Sequence, residues 1–242
     1  MDELDSSPFS GIKIPSDSQV DYKNNILFIS KWNWDYKSFL EFQTKCQKII
    51  SKNRGFKVYI FCNHPHLFTL GRGNERDQES LIEFDESLID SLDFPVHKIH
   101  RGGGITFHFP GQWIFYPIVS ISEKYTLDDH MCWMLKSVKN AVSEAFDIDG
   151  LITAKKLMGV WHNKKKLASI GVGLNRFVSE HGIALNLKFD DKMKSGISKI
   201  SPCGMNSNIY TSISDILDEN KELVETLNFF QNTFIKYIDN AK

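Results

Sequence analysis

Residues 157–189 read LMGVWHNKKKLASIGVGLNRFVSEHGIALNLKF. Two apolar runs, Leu157–Trp161 and Leu167–Leu174, stand either side of the polar run His162–Lys166, the pattern of a β-hairpin. Ile183–Phe189 is a further run of strand length. Working outward, Asn25–Ser30, Phe56–Cys62, Val96–His100 and Trp113–Val119 read as strands, the last two flanking a glycine-rich turn. Helical periodicity covers Tyr36–Lys52, where Phe39, Phe42, Cys46 and Ile49 fall three and four apart and Asp35 stands ready to cap the start. Tyr125–Phe146 and Leu217–Ile238 are the other helical stretches. Strands in runs, with helices interspersed irregularly, predict an α+β fold rather than a doubly wound parallel sheet.

Across the 242 residues no Pro/Gly/Ser-rich linker or charge block divides the middle. Residues 21–242 are therefore expected to form a single domain behind a loose, acidic and polar tail at 1–20. A content of 41% hydrophobic and 24% charged residues is enough for a sizeable core. No stretch approaches the roughly 18 consecutive apolar residues of a membrane span. The N-terminus has neither the charged-then-apolar order of a secretion signal nor the Arg-rich character of a transit peptide, so a cytoplasmic location is expected.

The net charge of −1 excludes a globally basic nucleic-acid binder. Charge is nevertheless uneven: from Lys155 to Lys199 ten Lys/Arg face three Asp/Glu, which makes that segment +7 and leaves −8 for the remainder. A local basic face suits an acidic protein partner, and a set of solvated surface lysines is the plainer alternative.

Cys46, Cys62 and Cys132 sit in apolar, element-like surroundings, where cysteine behaves as a small buried hydrophobe. No C-x-x-C spacing suggests zinc or a disulfide framework. Cys203 differs. It lies in Ser201-Pro202-Cys203-Gly204, where proline fixes φ before it and glycine permits a sharp turn after it, so the thiol is presented at a turn tip. Four other blocks stand out: Arg101-Gly102-Gly103-Gly104-Ile105-Thr106-Phe107-His108, Pro110-Gly111-Gln112, Lys164-Lys165-Lys166-Leu167-Ala168-Ser169-Ile170-Gly171 and His181-Gly182-Ile183-Ala184-Leu185-Asn186. Glycines let a ligand approach the main chain closely, and the alternation of small and large residues leaves room for something slender. Taken singly, each block also reads as ordinary structure: a β-turn, a lysine at a hairpin base, a histidine at a strand start. The histidines at 64, 66, 97, 100 and 108 cluster in sequence, but His97 and His100 would point to opposite faces of one strand, so no metal site is expected.

In this order the blocks resemble the lipoyl(octanoyl) transferases, the octanoyl-[acyl-carrier-protein]:protein N-octanoyltransferases. That family's pattern runs R-G-G-x-x-T-Y-H-G-P-G-Q, G-V-W, K-(apolar)-A-x-I-G, H-G-x-A-L-N and P-C-G. Here it reads RGGGITFHFPGQ, Gly159-Val160-Trp161, KLASIG, HGIALN and PCG, with His64-Pro65-His66-Leu67-Phe68-Thr69-Leu70-Gly71 upstream. Three positions depart from it: Phe107 replaces a usual tyrosine, Phe109 a usual glycine and Asn63 a usual glutamate.

The resemblance implies a mixed or antiparallel sheet with flanking helices, like the biotin/lipoate protein ligase catalytic domain. It implies Cys203 as the acyl-carrying nucleophile and Lys166 as the cation that lowers its pKa and later accepts a proton. The implied substrate-binding stretches are Arg101–His108, Ser169–Gly171 (Ser169, Ile170, Gly171) and Gly182–Ala184 (Gly182, Ile183, Ala184). The implied donor is acyl carrier protein carrying an octanoyl group. The acceptors are lipoyl domains of 2-oxoacid dehydrogenase E2 subunits and the glycine cleavage H protein. No cofactor or metal is implied, and a monomer without nucleic-acid or membrane partners is expected. Phe109 places a ring beside the acyl pocket and so bears on chain length. Rival expectations are a Cys-His hydrolase using His181 or His108, an ATP-dependent lipoate ligase-like enzyme, and a non-catalytic docking module.

Overall fold

The computed structural model describes residues 2–72, 86–154, 158–200, 209–219 and 221–238. The first strands form a hairpin, β1 (Gln19–Lys23) and β2 (Ile26–Lys31), turned at Asn24-Asn25 with φ of 53° and 62°. Asparagine tolerates this left-handed conformation, which matches the twist of the flanking strands. Helix α2 (Tyr36–Lys52) follows the one-turn α1 (Asp2–Asp5) in order; Asp35 caps it by accepting from the Ser38 amide at 2.9 Å. It carries the chain over to β3 (Lys57–Cys62), parallel to β2.

A three-stranded sheet comes next, from β4 (Leu67–Leu70), β5 (Val96–Lys98) and β6 (Ile105–His108), in the order β5-β4-β6. The glycine-rich segment therefore joins β5 to β6, not to the strand at residue 113 as the sequence suggested. Thr106-Phe107-His108 pairs with β4 in a strand too short to announce itself by alternation. Then follow β7 (Gln112–Ile118), α3 (Leu127–Phe146, with a Thr126–Asp129 capping box), β8 (Ile152–Ala154), β9 (Gly159–His162), β10 (Lys165–Asn175) and β11 (Val178–Asn186). These strands extend the first sheet to eight, ordered β1-β2-β3-β7-β11-β10-β9-β8 and antiparallel except at β2/β3. The fold is α+β with mixed sheets and flanking helices.

Two further corrections concern the C-terminal third. The strand read at Ile183–Phe189 starts earlier, at Val178, and stops at Asn186. Beyond it Asp190 caps an unexpected helix, α4 (Asp191–Lys199). The helix read over Leu217–Ile238 is two, α5 (Ile213–Leu217) and α6 (Leu223–Ile238), broken where Asp218 takes a φ of 53°. Residues 2–14, expected in a loose tail, lie against the fold: Phe9 is buried edge-on to Tyr22 and Phe56, with ring centroids 6.3 and 6.1 Å away.

Both faces of the large sheet are covered. On one, α3 and α6 pack against Phe61, Trp113 and Phe115, with Phe234 4.7 Å from Trp113 and 4.9 Å from Phe115 between ring centroids. On the other, Phe39, Cys46 and Ile50 of α2 bury against Ile60, Ile114 and Tyr116. A third apolar cluster joins the small sheet to α4 through Phe68, Ile105, Phe107, Phe109, Met193 and Ile197. The α2 face does not extend over the whole sheet, and the part it leaves holds the site.

Candidate active site

Strands β10 and β11 pair Ser169 with Ala184 and Gly171 with Gly182, and Ala184 pairs in turn with Ile114 of β7. Alternation puts Ala168, Ile170 and Val172 in the α3/α6 core and leaves a floor almost bare of side chains on the opposite face. The Arg101–Gly104 segment lies directly on it. A Cβ added at Gly171 would stand 3.0 Å from Arg101 Cδ and 3.2 Å from the Gly102 carbonyl, so only glycine admits so close an approach. The Gly102 amide fixes the segment by donating to the Val172 carbonyl at 3.0 Å, and Gly103 takes a φ of 79°. Between floor and loop is an open cleft with about 340 Å³ of empty space. Arg101, Thr106, His108, Ser169, Ile170, Gly171, Gly182, Ile183 and Ala184 all line it.

Lys166 reaches the same face because of a break in the β10 register. Lys166 pairs with Trp161 but Ala168 pairs with Val160, so Leu167 is an extra residue opposite β9. Regular alternation would set Lys166 and Ser169, three apart, on opposite faces; the bulge restores them to one. Gly159, paired with Ser169, leaves the space the lysine chain occupies, since a Cβ there would meet Lys166 Cε at 2.7 Å. The ammonium stands 5.6 Å from the Trp161 ring centroid. Burial, and secondarily the Arg101 charge, bring its pKa down to about 8.

Arg101 is buried with its guanidinium spent on neutral oxygens. Nη2 donates to Thr69 O at 2.9 Å and to the hydroxyls of Thr69 and Thr106 at 2.8 Å each, while Nη1 donates to Gly102 O at 2.9 Å. Its positive field adds to burial in pushing down the pKa of His108 and His181, the latter to about 3, so both imidazoles are neutral at physiological pH. The Gln112 amide donates to Phe107 O and Asn186 Oδ1, at 3.3 and 3.1 Å, so its oxygen accepts from His108 Nδ1 at 3.0 Å. Asn186 donates on to Thr211 O at 3.1 Å, and the Thr211 amide donates to Lys166 O at 3.0 Å. One buried polar chain thus ties His108, Gln112, Asn186 and Lys166 together, residues drawn from four of the sequence blocks.

The positions that depart from the family pattern also have structural roles. Phe107 and Phe109 line a second cavity of about 300 Å³ with Met193, Ile197, Ile200 and Tyr210, and it shares Thr106 and Ser169 with the cleft. Phe109 is fully buried, its ring 6.1 Å from Phe107 and 5.9 Å from Phe189. The Asn63 amide links the Asn33 amide to the Pro110 carbonyl, holding the start of α2 to the turn before β7.

Gly102, Gly103, Gly104 and Ile105 shape the loop rather than line the cleft: Gly104 O accepts from the Gly71 amide at 3.2 Å, and Ile105 is core. Cys203 lies outside the described residues. Its described flanks, Ile200 and Tyr210, both line the second cavity, and Tyr210 bridges to Lys166. Sequence reasoning missed Tyr36, Ile99, Ile114 and Tyr116, which line the cleft from α2, the β5 end and β7. None belongs to a motif; only proximity in the fold brings them in. Among the described residues no group of His, Cys, Asp and Glu is disposed to hold a metal, and no helix is long and apolar enough to cross a membrane.

The chain shares its fold with Plasmodium falciparum LipL1, solved in complex with lipoate, at a TM-score of 0.63 and 11% identity over 90% of this chain and 63% of that one. The chain belongs to the lipoyl protein ligase A/B catalytic domain family, whose model matches residues 35–235. An octanoyltransferase of Nostoc punctiforme is 34% identical over 65% of this chain and 64% of its own length. The chloroplastic octanoyltransferase LIP2p2 of Arabidopsis thaliana is 30% identical over 82% of this chain. The match spans 66% of the Arabidopsis protein, so in both relatives it covers just under two thirds of the length.

Proposed function

We propose that this chain is an octanoyltransferase that takes a medium-chain acyl group from acyl carrier protein and delivers it to a lysine of lipoyl domains. The acceptors are those of 2-oxoacid dehydrogenase E2 subunits and of the glycine cleavage H protein. Residues 21–242 act as one catalytic domain, as a monomer and without a cofactor. The observation that carries the proposal is Lys166: a desolvated amine within the field of Arg101, set by the β10 bulge on the same side of the strand as Ser169, which lines the cleft. Tyr210 and Thr211, a few residues after Cys203 in sequence, are bridged and hydrogen-bonded to Lys166. The octanoyltransferase relatives support the same assignment.

Cys203 is the nucleophile. A free thiol titrates near 8.5, and a neighbouring ammonium favours its anion. The thiolate attacks the donor's carbonyl carbon; the bond to the carrier sulfur breaks, and the carrier leaves as a thiolate. The acceptor amine then attacks the acyl-cysteine carbon, the C–S bond breaks, and neutral Lys166 accepts the proton the amine sheds. A hydrolase built on His181 or His108 fits less well, because both imidazoles are too weakly basic where they stand to activate a thiol.

Incubation with octanoyl-acyl carrier protein, without nucleotide, is expected to add one octanoyl mass to the intact protein. The adduct should be absent in Cys203→Ser, and its formation should slow by at least tenfold in Lys166→Ala. Unchanged acylation in Lys166→Ala defeats the assignment, and a requirement for ATP would point to a ligase.

A further inference from the structure

Trp161, the last residue of the Gly159-Val160-Trp161 block, sits on β9 directly opposite Lys166 of β10. Its neighbour Val160 is buried in the α3/α6 core, so alternation turns Trp161 to the other face of the sheet. The lysine chain runs over Gly159, two residues earlier on that face, and its ammonium stands over the indole, 5.6 Å from the ring centroid. Trp161 is 6% exposed, yet among the described residues it joins none of the three apolar clusters. Its N–H serves no bond either: Nε1 is buried with no hydrogen-bond partner among the described residues. The part of this large side chain in use is its ring face, and the group over that face is the ammonium.

A buried ammonium is unfavourable unless something negative faces it. The charged and titratable groups around Lys166 supply nothing of the kind. Arg101, from the glycine-rich segment, repels it. Tyr210, from the stretch before α5, bridges to it, but burial pushes that phenol up to about 12, so it is neutral at physiological pH. His162, next on β9, alternates to the opposite face. Among the described residues no carboxylate pairs with the ammonium. An indole face carries negative charge density, and its pull on a cation grows as water is excluded. We infer that Trp161 is a positioning residue for acyl transfer: its ring face keeps Lys166 charged and fixed over β9 until the proton of the acceptor amine must be taken. The inference rests on the role proposed for Lys166 and adds the group that maintains its charge. The two half-reactions need opposite states of that amine, so a weaker ring acts on them in opposite directions. At pH 7 fewer lysines are charged, which slows capture of the acyl group; more are neutral, which speeds transfer. A residue that only supports the fold would slow both.

The test replaces Trp161 alone, in the full chain, with tryptophans carrying increasing numbers of ring fluorines, which drain charge from the ring face and barely change its shape. The titration midpoint of Lys166, read by NMR from its labelled Cε, is expected to fall by about one pH unit across the series, the roughly tenfold worth of a desolvated cation–π contact. At pH 7 the rate of acyl transfer to a lipoyl domain, divided by the rate of acylation from octanoyl-acyl carrier protein, should rise about threefold along the series. A midpoint that stays put overturns the inference and leaves the acyl-transfer proposal standing. A midpoint that falls while the rate ratio stays constant shows that the charge of Lys166 takes no part in the chemistry. The role proposed for that lysine then falls, and the inference with it. Trp161→Leu removes the face outright and Trp161→Phe keeps one, so the Phe midpoint is expected between those of Leu and wild type.

Discussion

The role proposed for Lys166 combines two demands that conflict in water: charged, it would stabilise a thiolate; neutral, it would accept a proton. A pKa near 8 serves both. Roughly one tenth of such an amine is neutral at pH 7 and half at pH 8. Rates of the second half-reaction also follow titration of the acceptor lysine, but that cancels in a ratio. The ratio of wild-type to Lys166→Arg rates is therefore expected to rise about fivefold from pH 7 to pH 8 and to flatten by pH 9, since arginine stays protonated throughout. A flat ratio across that range would show that the proton goes elsewhere. At this scale the sequence was informative where residues travel in motifs. Arg101, Thr106, His108, Ser169, Gly171, Gly182 and Ala184 all reach the cleft. Tyr36 and Tyr116 do not announce themselves, because nothing local distinguishes a core tyrosine from one whose ring edges a cavity.

At the scale of elements, the hairpin β9–β10 sets the register on which the lysine's direction depends. Its turn is Asn163-Lys164, both left-handed at φ of 46° and 65°, and both exposed. Asn-Gly is the favoured pair for that geometry, and a lysine there carries a steric cost of about 1 kcal/mol. Lys164→Gly is expected to raise the melting temperature by about 2–4 °C with acyl transfer unchanged, because the register is kept while the strain is relieved. A fall in stability would mean that the turn is held by contacts of the Lys164 side chain. The hairpin itself was legible from two apolar runs around a polar one. The Leu167 bulge was not, since it is a matter of pairing between strands. The short strands β4, β6 and β8, of three or four residues, carry too little alternation to read, and α4 (DKMKSGISK) is mostly polar because it buries only Met193, Gly196 and Ile197.

Across the whole molecule, the sheet separates support from chemistry, with the aromatic α3/α6 layer on one face and cleft, loop and α4 on the other. The α+β class followed from the order of elements, but the two-sheet split did not, because which strands pair is decided by long-range burial. The basic segment 155–199 belongs to the cleft side: it supplies β9, β10, β11 and α4, and Lys192 and Lys194 are exposed on the helix that covers the second cavity. In the proposed reaction an acidic carrier protein approaching that side would meet positive charge, which speeds encounter at low salt. Screening shortens the reach of that field from about 10 Å at 0.1 M salt to about 3 Å at 1 M. The double variant Lys192→Glu, Lys194→Glu is expected to raise KM for octanoyl-acyl carrier protein by about tenfold at 0.05 M salt. The gap from wild type should close as salt approaches 1 M. With an uncharged octanoyl thioester of a small thiol as donor, the same variant should match wild type at every salt concentration. A defect that persists with the small donor would place these lysines in the folding or chemistry of the site rather than in capture of the carrier.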